Sequence, residues 1–349
     1  MTALLARQLQ RAWLSRGPLA LALWPLATLF SALSAARRTL YRAGWLSAQR
    51  LSVPVIVVGN LMAGGAGKTP TVMAVVSLLR RHGFTPGVVS RGYGRASNTL
   101  IDVEPTTPVA ACGDEPLLMR LRLNAPVVVG RDRVAAARQL LQCHRHVDVI
   151  VSDDGLQHLR LARDAQVLVF DERGVGNGWM LPAGPLREPM PPSLPARSIV
   201  VYNAECASTV LPGHLALRSL MGVVLLSDWW AGRAASSDAL AALAHRRVVA
   251  AAGMAQPMRF FDMLRRAGLT IEPLPLPDHY GFSTLPWPAT TADVVVTEKD
   301  AVKLDPAQLG ATRVWVAPLD FRLGAHAETA LLGLLPPPTT RIPDGHPTA

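Results

Sequence analysis

Positions 53–83, VPVIVVGNLMAGGAGKTPTVMAVVSLLRRHG, constrain the fold more than any other stretch of the chain. The opening residues form a short, β-branched apolar run, as expected of a strand buried on both faces. The closing residues have helical spacing, with basic side chains in the last turn and Gly83 as a stop. Between them, Gly64, Gly65, Ala66 and Gly67 lead directly into Lys68 and Thr69. In a strand–loop–helix unit of this kind, the loop amides and the helix N-terminus converge on a phosphate. The Walker A pattern G-x-x-x-x-G-K-S/T places its first glycine at position 62, which is Met62 here. A variant form, G-G-x-G-K-T, keeps only the inner glycines, and close backbone approach depends on those. The segment therefore reads as a phosphate loop with an altered entrance; the alternative is a glycine-rich turn without a ligand.

Two further segments carry acids where such a loop needs them. VDVIVSDDG, positions 147–155, is an apolar strand that ends in Asp153 and Asp154. An acid at that edge can reach a Mg²⁺ held by the loop threonine, as in a Walker B site; an Asx turn is the plainer account. CGDEPLLMRLRL, positions 112–123, sets Asp114 and Glu115 ahead of Pro116 and an apolar run. Helix capping explains that placement, and so does a general base for transfer to a hydroxyl.

The N-terminal region is apolar. GPLALALWPLATLFSALSAA, positions 17–36, contains no charge, with Arg7, Arg11 and Arg16 before it and Arg37, Arg38 and Arg42 after it. Twenty helical residues span about 30 Å, enough to cross a hydrocarbon core. A cleaved signal peptide, a spanning helix, a monotopic anchor with arginines on anionic headgroups, and a buried first helix are all compatible with that pattern. The chain has 349 residues, half of them hydrophobic and 17% charged, so a disordered chain is excluded. A net charge of +10 calls for an anionic partner. Without a block of basic residues interleaved with aromatics, nucleic acid is the weakest choice, behind a membrane surface or a phosphorylated substrate. Cys112, Cys143 and Cys206 are scattered and odd in number, which fits a reducing compartment better than a disulfide framework or zinc cluster.

Taken in order, VGNLMAGGAGKTP, SRGYGR, GDEP, DDGLQH, GNGWMLPAGPLREP, DHYGF and TEKDAVK closely resemble the tetraacyldisaccharide 4'-kinase family, over about positions 54 to 317. The long GNG…LPAGPLREP stretch is the most specific of these, and the family's loop also lacks the first Walker glycine. The resemblance implies ATP- and Mg²⁺-dependent phosphorylation of the 4'-hydroxyl of a lipid A disaccharide precursor, at the cytoplasmic face of the bacterial inner membrane. It implies a peripheral or monotopic attachment to anionic lipid and no obligate protein partner. For the site, it implies Lys68 on the β- and γ-phosphates, Thr69 and Asp153 on Mg²⁺ with Asp154 beside them, and Glu115 at the Mg-ATP. Asp114 is then the base, paired with His279, while Arg91, Tyr93, Arg187 and Glu188 face the substrate headgroup. AGMAQP and VVYNAE replace more glycine-rich versions and put local loop detail in doubt.

The expected architecture is α/β. An anchor and linker occupy 1–46, and a P-loop NTPase-type domain with a mostly parallel sheet occupies 47–198. A smaller α/β domain follows over 199–335, then a disordered tail at 336–349. A nucleotide hydrolase stimulated by a partner would share the loop but need no lipid. A membrane scaffold with a decayed site would have lost acids that this chain retains.

Overall fold

Residue 9, residues 12–95 and residues 97–338 are described by the computed structural model. Arg7, Arg11 and positions 339–349 of the expected disordered tail lie outside them. The apolar run at 53–59 becomes β1 (Val55–Gly59), buried along its whole length. Its side chains alternate between two cores: Ile56 and Val58 join one, Val55 and Val57 the other. That is how a strand with helices on both faces must pack.

The strands that follow are β2 (Pro86–Ser90), β3 (Ile101–Asp102), β4 (Val127–Val129), β5 (Val149–Asp153), β6 (Ala165–Asp171), β7 (Ser198–Asn203) and β8 (His214–Leu220). After these come β9 (Val224–Leu225), β10 (Arg247–Ala252), β11 (Thr270–Pro275), β12 (Asp293–Val296), β13 (Arg313–Val316) and β14 (Leu319–Leu323). The nine-stranded sheet runs β14-β8-β7-β6-β1-β5-β2-β4-β3. Its strands are parallel from β8 to β4, with antiparallel β14 and β3 closing the edges. The five-stranded sheet runs β11-β10-β12-β13-β9, parallel except for β9. The boundary expected at 198/199 falls within the larger sheet. The fully buried β7 needs a neighbour on each side, so it pairs with β6 and β8, and the chain returns for β14 after building the second sheet.

β1 lies between β5 and β6, so the C-terminal ends of these three strands open into one crevice, the usual ligand position in an open α/β sheet. The helix Lys68–Arg81 rises from that crevice and buries Val72, Val75, Val76, Leu78 and Leu79. The N-terminal helix Pro18–Arg42 is long and apolar enough to cross a membrane. Only Ala20 and Ala27 are buried in it. Leu21, Trp24, Leu26, Leu29 and Leu33 each expose half or more of their surface, so it is not the buried first helix of a soluble core.

Candidate active site

The phosphate loop is shaped by contacts from distant parts of the chain. At its entrance, Met62 is buried and bridges Leu186 in antiparallel fashion. The Ala63 N–H donates to Pro185 O at 2.7 Å, and the Arg187 N–H to Leu61 O at 2.7 Å. The entrance is thus a short strand pairing that accepts a side chain, which accounts for methionine where a standard loop has glycine. Further in, Gly64 and Gly67 take φ of +101° and +88°, values that L side chains rarely adopt. A Cβ on Gly67 would also collide with the Asn203 amide. That amide, at the end of β7, donates to Ala66 O at 3.1 Å. Arg173, held by Asp171 at the end of β6, donates to Gly65 O at 3.0 Å. The Lys68 ammonium folds over the loop, 3.4 Å from Asn60 Oδ1 and Gly64 O and 3.8 Å from Asp154. Thr69 follows it in the first helical turn, half-buried.

Asp153 pairs in register with Val58, one residue before β1 ends. It is buried, and its Oδ2 accepts from Ser90 Oγ at 2.9 Å. Its Oδ1 is buried without a hydrogen-bond partner. Burial pushes its carboxyl up to about 6, aided by Glu115 and Asp154 and opposed by Lys68 and Ser90. A buried carboxylate oxygen without a donor is an open ligand position, so Asp153 fits a divalent cation. Among the described residues, no group of three or more His, Cys, Asp and Glu could hold a metal by itself. A cation here would therefore share its shell with nucleotide oxygens and water, as Mg²⁺ does.

Asp154 takes a left-handed φ of +47°, and Arg187 grips both its oxygens at 2.8 and 3.1 Å. Burial works against its charge, but Lys68, Arg187 and Arg133 together hold its carboxyl below the usual range. Arg187 also donates to Asn60 O at 2.9 Å, and Glu188 accepts from Gln157 at 2.8 Å. Arg187 and Glu188 therefore brace the loop from its flank. Behind Asp153, the buried Arg133 reaches Gly130 O at 2.6 Å and Asp153 O at 3.4 Å.

The third group spans the two sheets. Gly113 precedes the helix Asp114–Leu123 as its cap residue, so Asp114 is the first helical residue and not the cap. Its Oδ1 accepts from the Glu115 N–H at 2.9 Å, and its Oδ2 lies 2.9 Å from His279 Nδ1. Burial would raise the Asp114 carboxyl; the His279 hydrogen bond and the charge of Lys299 outweigh it and hold it low. The same hydrogen bond raises His279, against burial and Lys299. The exposed Tyr93 stands beside the pair, its ring centroid 5.4 Å from that of His279. Arg91 is exposed just after β2. Lys299 Nζ lies 3.2 Å from Glu115 Oε1 and 3.3 Å from Asp278 Oδ1. In the loop after β10, Ala255 approaches the phosphate loop: a Cβ on Gly65 would lie 3.7 Å from its own.

The structure therefore gathers Lys68, Asp153 and Asp154 into one cluster and Asp114, Glu115, His279 and Tyr93 into an adjacent one. Asn60, Ser90, Asn203, Arg173 and Lys299 have contacts that motif reading did not assign. Asn60, Ser90, Asn203 and Lys299 stood in quoted motifs without a role; Arg173 had no sequence signal beyond proximity to one.

Residues 19–336 match the family described as tetraacyldisaccharide-1-P 4'-kinase. The chain is 56% identical to the tetraacyldisaccharide 4'-kinase of Leptothrix cholodnii, over 97% of this chain and 98% of that one. It is 55% identical to that of Methylibium petroleiphilum, over 94% of each chain. Among solved structures, it resembles the "apo" form of LpxK from Aquifex aeolicus in complex with ATP. The TM-score is 0.75 at 27% identity, covering 91% of this chain and 99% of that one. With the family matched over nearly its whole length, and a phosphate loop, a strand-end acid and an Asp–His pair meeting at one crevice, the chain belongs to the tetraacyldisaccharide 4'-kinase family.

Proposed function

We propose that this chain transfers the γ-phosphoryl group of ATP to the 4'-hydroxyl of a tetraacylated glucosamine disaccharide 1-phosphate, a step of lipid A biosynthesis. The observation that carries the mechanism is the Asp114–His279 contact at 2.9 Å, set beside the phosphate loop. Lys68 and the loop amides hold the β- and γ-phosphates, and Thr69 and Asp153, with Glu115 nearby, would hold Mg²⁺. The ion, when bound, supplies neutralisation of charge on the transferring group. Asp114 takes the proton as the sugar oxygen bonds to phosphorus and the bond to the ADP oxygen breaks. His279 keeps the Asp114 carboxylate oriented through Nδ1 and leaves Nε2 to pass charge toward solvent. Arg91 and Tyr93 face the headgroup; Arg187 and Glu188 act on it from the loop's flank.

A cavity of about 610 Å³ supports a lipid acceptor. Leu61, Leu156, Leu168 and Met190 line it, with Glu188 at one side and Arg38, Arg42 and Arg163 supplying positive charge. Apolar walls with basic side chains suit an acylated, phosphate-bearing molecule. The cavity abuts the exposed N-terminal helix, which we assign as a peripheral or monotopic attachment to anionic lipid at the cytoplasmic face of the inner membrane. The two sheets act as two lobes, the smaller bringing His279 to Asp114 of the larger.

The test is incubation of the full-length protein with γ-labelled ATP and the disaccharide lipid. Label moves to the lipid, and Lys68→Ala and Asp153→Ala each lose at least about 10²-fold in kcat with folding intact. Near-wild-type transfer in either variant, or phosphate released only to water, overturns the assignment.

A further inference from the structure

The turn after β12 reads Thr297-Glu298-Lys299-Asp300, and each of its charged side chains leaves in a different direction. Glu298 is buried and takes Arg122 Nη1 at 2.6 Å and Trp229 Nε1 at 3.1 Å. Asp300 is buried and accepts from the Gly253 N–H at 2.9 Å and from Lys303 at 2.9 Å. Lys299 points between them to Glu115 and Asp278. These two carboxylates are the chain neighbours of Asp114 and His279. One ammonium therefore ties together the residue after Asp114 and the residue before His279.

We infer that Lys299 is a positioning residue for phosphoryl transfer: by bridging Glu115 and Asp278 it sets the register of the Asp114–His279 pair across the two sheets. The inference rests on the kinase reading above. His279 has φ of +58°, in the left-handed region that a non-glycine residue holds only when its surroundings impose it. Two ties impose it from this turn. One runs from Asp300 to the Gly253 N–H, with Gly253 O accepting from the His279 N–H at 3.2 Å. The other is Lys299 to Asp278. Without the ammonium, Glu115 and Asp278 would present like charges to each other, and the two halves of the pair would be pushed apart. Residue type supports the same role. The chain has 35 Lys and Arg, and its only lysines are Lys68, Lys299 and Lys303. A compact ammonium with three rotatable donors can serve carboxylates on different elements, where a planar guanidinium would favour one.

The experiment compares Lys299→Met, Lys299→Arg, Asp114→Ala and the double variant Lys299→Met/Asp114→Ala, as full-length enzymes with lipid acceptor. A displacement of about 1 Å at a reacting group costs about 10²-fold, so Lys299→Met loses roughly that in kcat. Its KM for ATP changes less than its kcat, because Lys299 reaches the nucleotide side of the site only indirectly, through Glu115. Lys299→Arg, which keeps the charge, recovers part of the loss. The double variant is no slower than Asp114→Ala, because Lys299 acts only through the pair. A raised KM for ATP with normal kcat, or strictly multiplicative losses, overturns the inference. Active Lys299→Met with inactive Asp114→Ala overturns it alone, leaving the kinase reading in place; active Asp114→Ala removes the base and the positioning role together. If Lys299→Met does not fold, Asp278→Asn carries the test: lower kcat at unchanged KM supports the role, and unchanged kcat overturns it.

Discussion

Asp153 holds a negative charge where the protein alone favours it least. Its carboxyl titrates near 6 in the fold, against about 3.9 in an unfolded chain. The folded state therefore binds the proton more tightly, so stability falls as pH rises from about 4 through about 6 and stays reduced above that. Asp153→Asn keeps the shape and the Ser90 contact but cannot ionise. Without nucleotide or Mg²⁺, it should melt above the wild type at about pH 8, and the difference should shrink by about pH 5, where the wild type is protonated. Transfer should collapse at both. Melting curves at the two pH values and a kcat measurement check this; a variant that melts lower at the higher pH contradicts the strain assigned to Asp153. At this scale, the sequence displayed Lys68, Thr69, Asp153 and Asp154, because a loop and a strand end place them by local geometry. The long-range donors that shape the loop left no local trace. Arg173 meets Gly65 O from 108 positions away, and Asn203 meets Ala66 O from 137.

The stretch GNGWMLPAGPLREP, read from sequence as a family mark that carries Arg187 and Glu188 toward the headgroup, is a strap between two elements. At one end, the Asn177 amide donates to Ala183 O at 2.9 Å, Ala12 O at 3.1 Å and Ser15 O at 3.2 Å, while its Oδ1 accepts from the Trp179 N–H at 3.0 Å. The Trp13 indole donates to Pro182 O at 2.9 Å, and Arg16 lies over the Trp179 ring. At the other end, Pro185, Leu186 and Arg187 pair with the entrance of the phosphate loop. Local patterning could not reveal this, because the strap has neither helical nor strand period and its partners are over 100 residues away. Asn177→Ala leaves several buried backbone groups unpaired, at about 1–3 kcal/mol. Opening of residues 12–17 should become roughly 30-fold more frequent for a loss of about 2 kcal/mol. Trypsin cleavage after the exposed Arg16 should quicken by a similar factor while cleavage elsewhere is unchanged. Equal cleavage rates would show that the strap does not hold the N-terminal segment.

For the whole molecule, apolar and electrostatic attachment to a membrane can be separated by magnitude. The helix Pro18–Arg42 exposes Leu19, Leu21, Trp24, Leu26, Leu29, Phe30 and Leu33, each by more than a third of its surface. Covering such side chains with lipid contributes on the order of 1 kcal/mol or more apiece for partial burial, and so roughly 7 kcal/mol together. The arginines at 16, 37, 38 and 42 add about 1 kcal/mol each near an anionic surface, a contribution that salt screens within a Debye length. The apolar part is the larger and is insensitive to salt. Full-length protein should therefore stay on phosphatidylglycerol-containing vesicles at high ionic strength. Protein lacking residues 1–46 loses six arginines and no acid, so of the net +10 it keeps +4, and it should bind the same vesicles weakly and only at low salt. Its cores should survive, because the N-terminal helix contributes only Ala27 and the partly buried Leu23 to one of the two clusters flanking the larger sheet, whereas β1 and its neighbours contribute whole strands. ATP binding should persist in the truncated protein while transfer to vesicle-embedded lipid falls, because the acceptor can no longer be met at its own surface. Flotation of both proteins at two salt concentrations, with melting curves and transfer assays, tests each part. Truncated protein that still floats at high salt would place the attachment elsewhere on the body; truncated protein that has lost its melting transition would make the helix part of the fold.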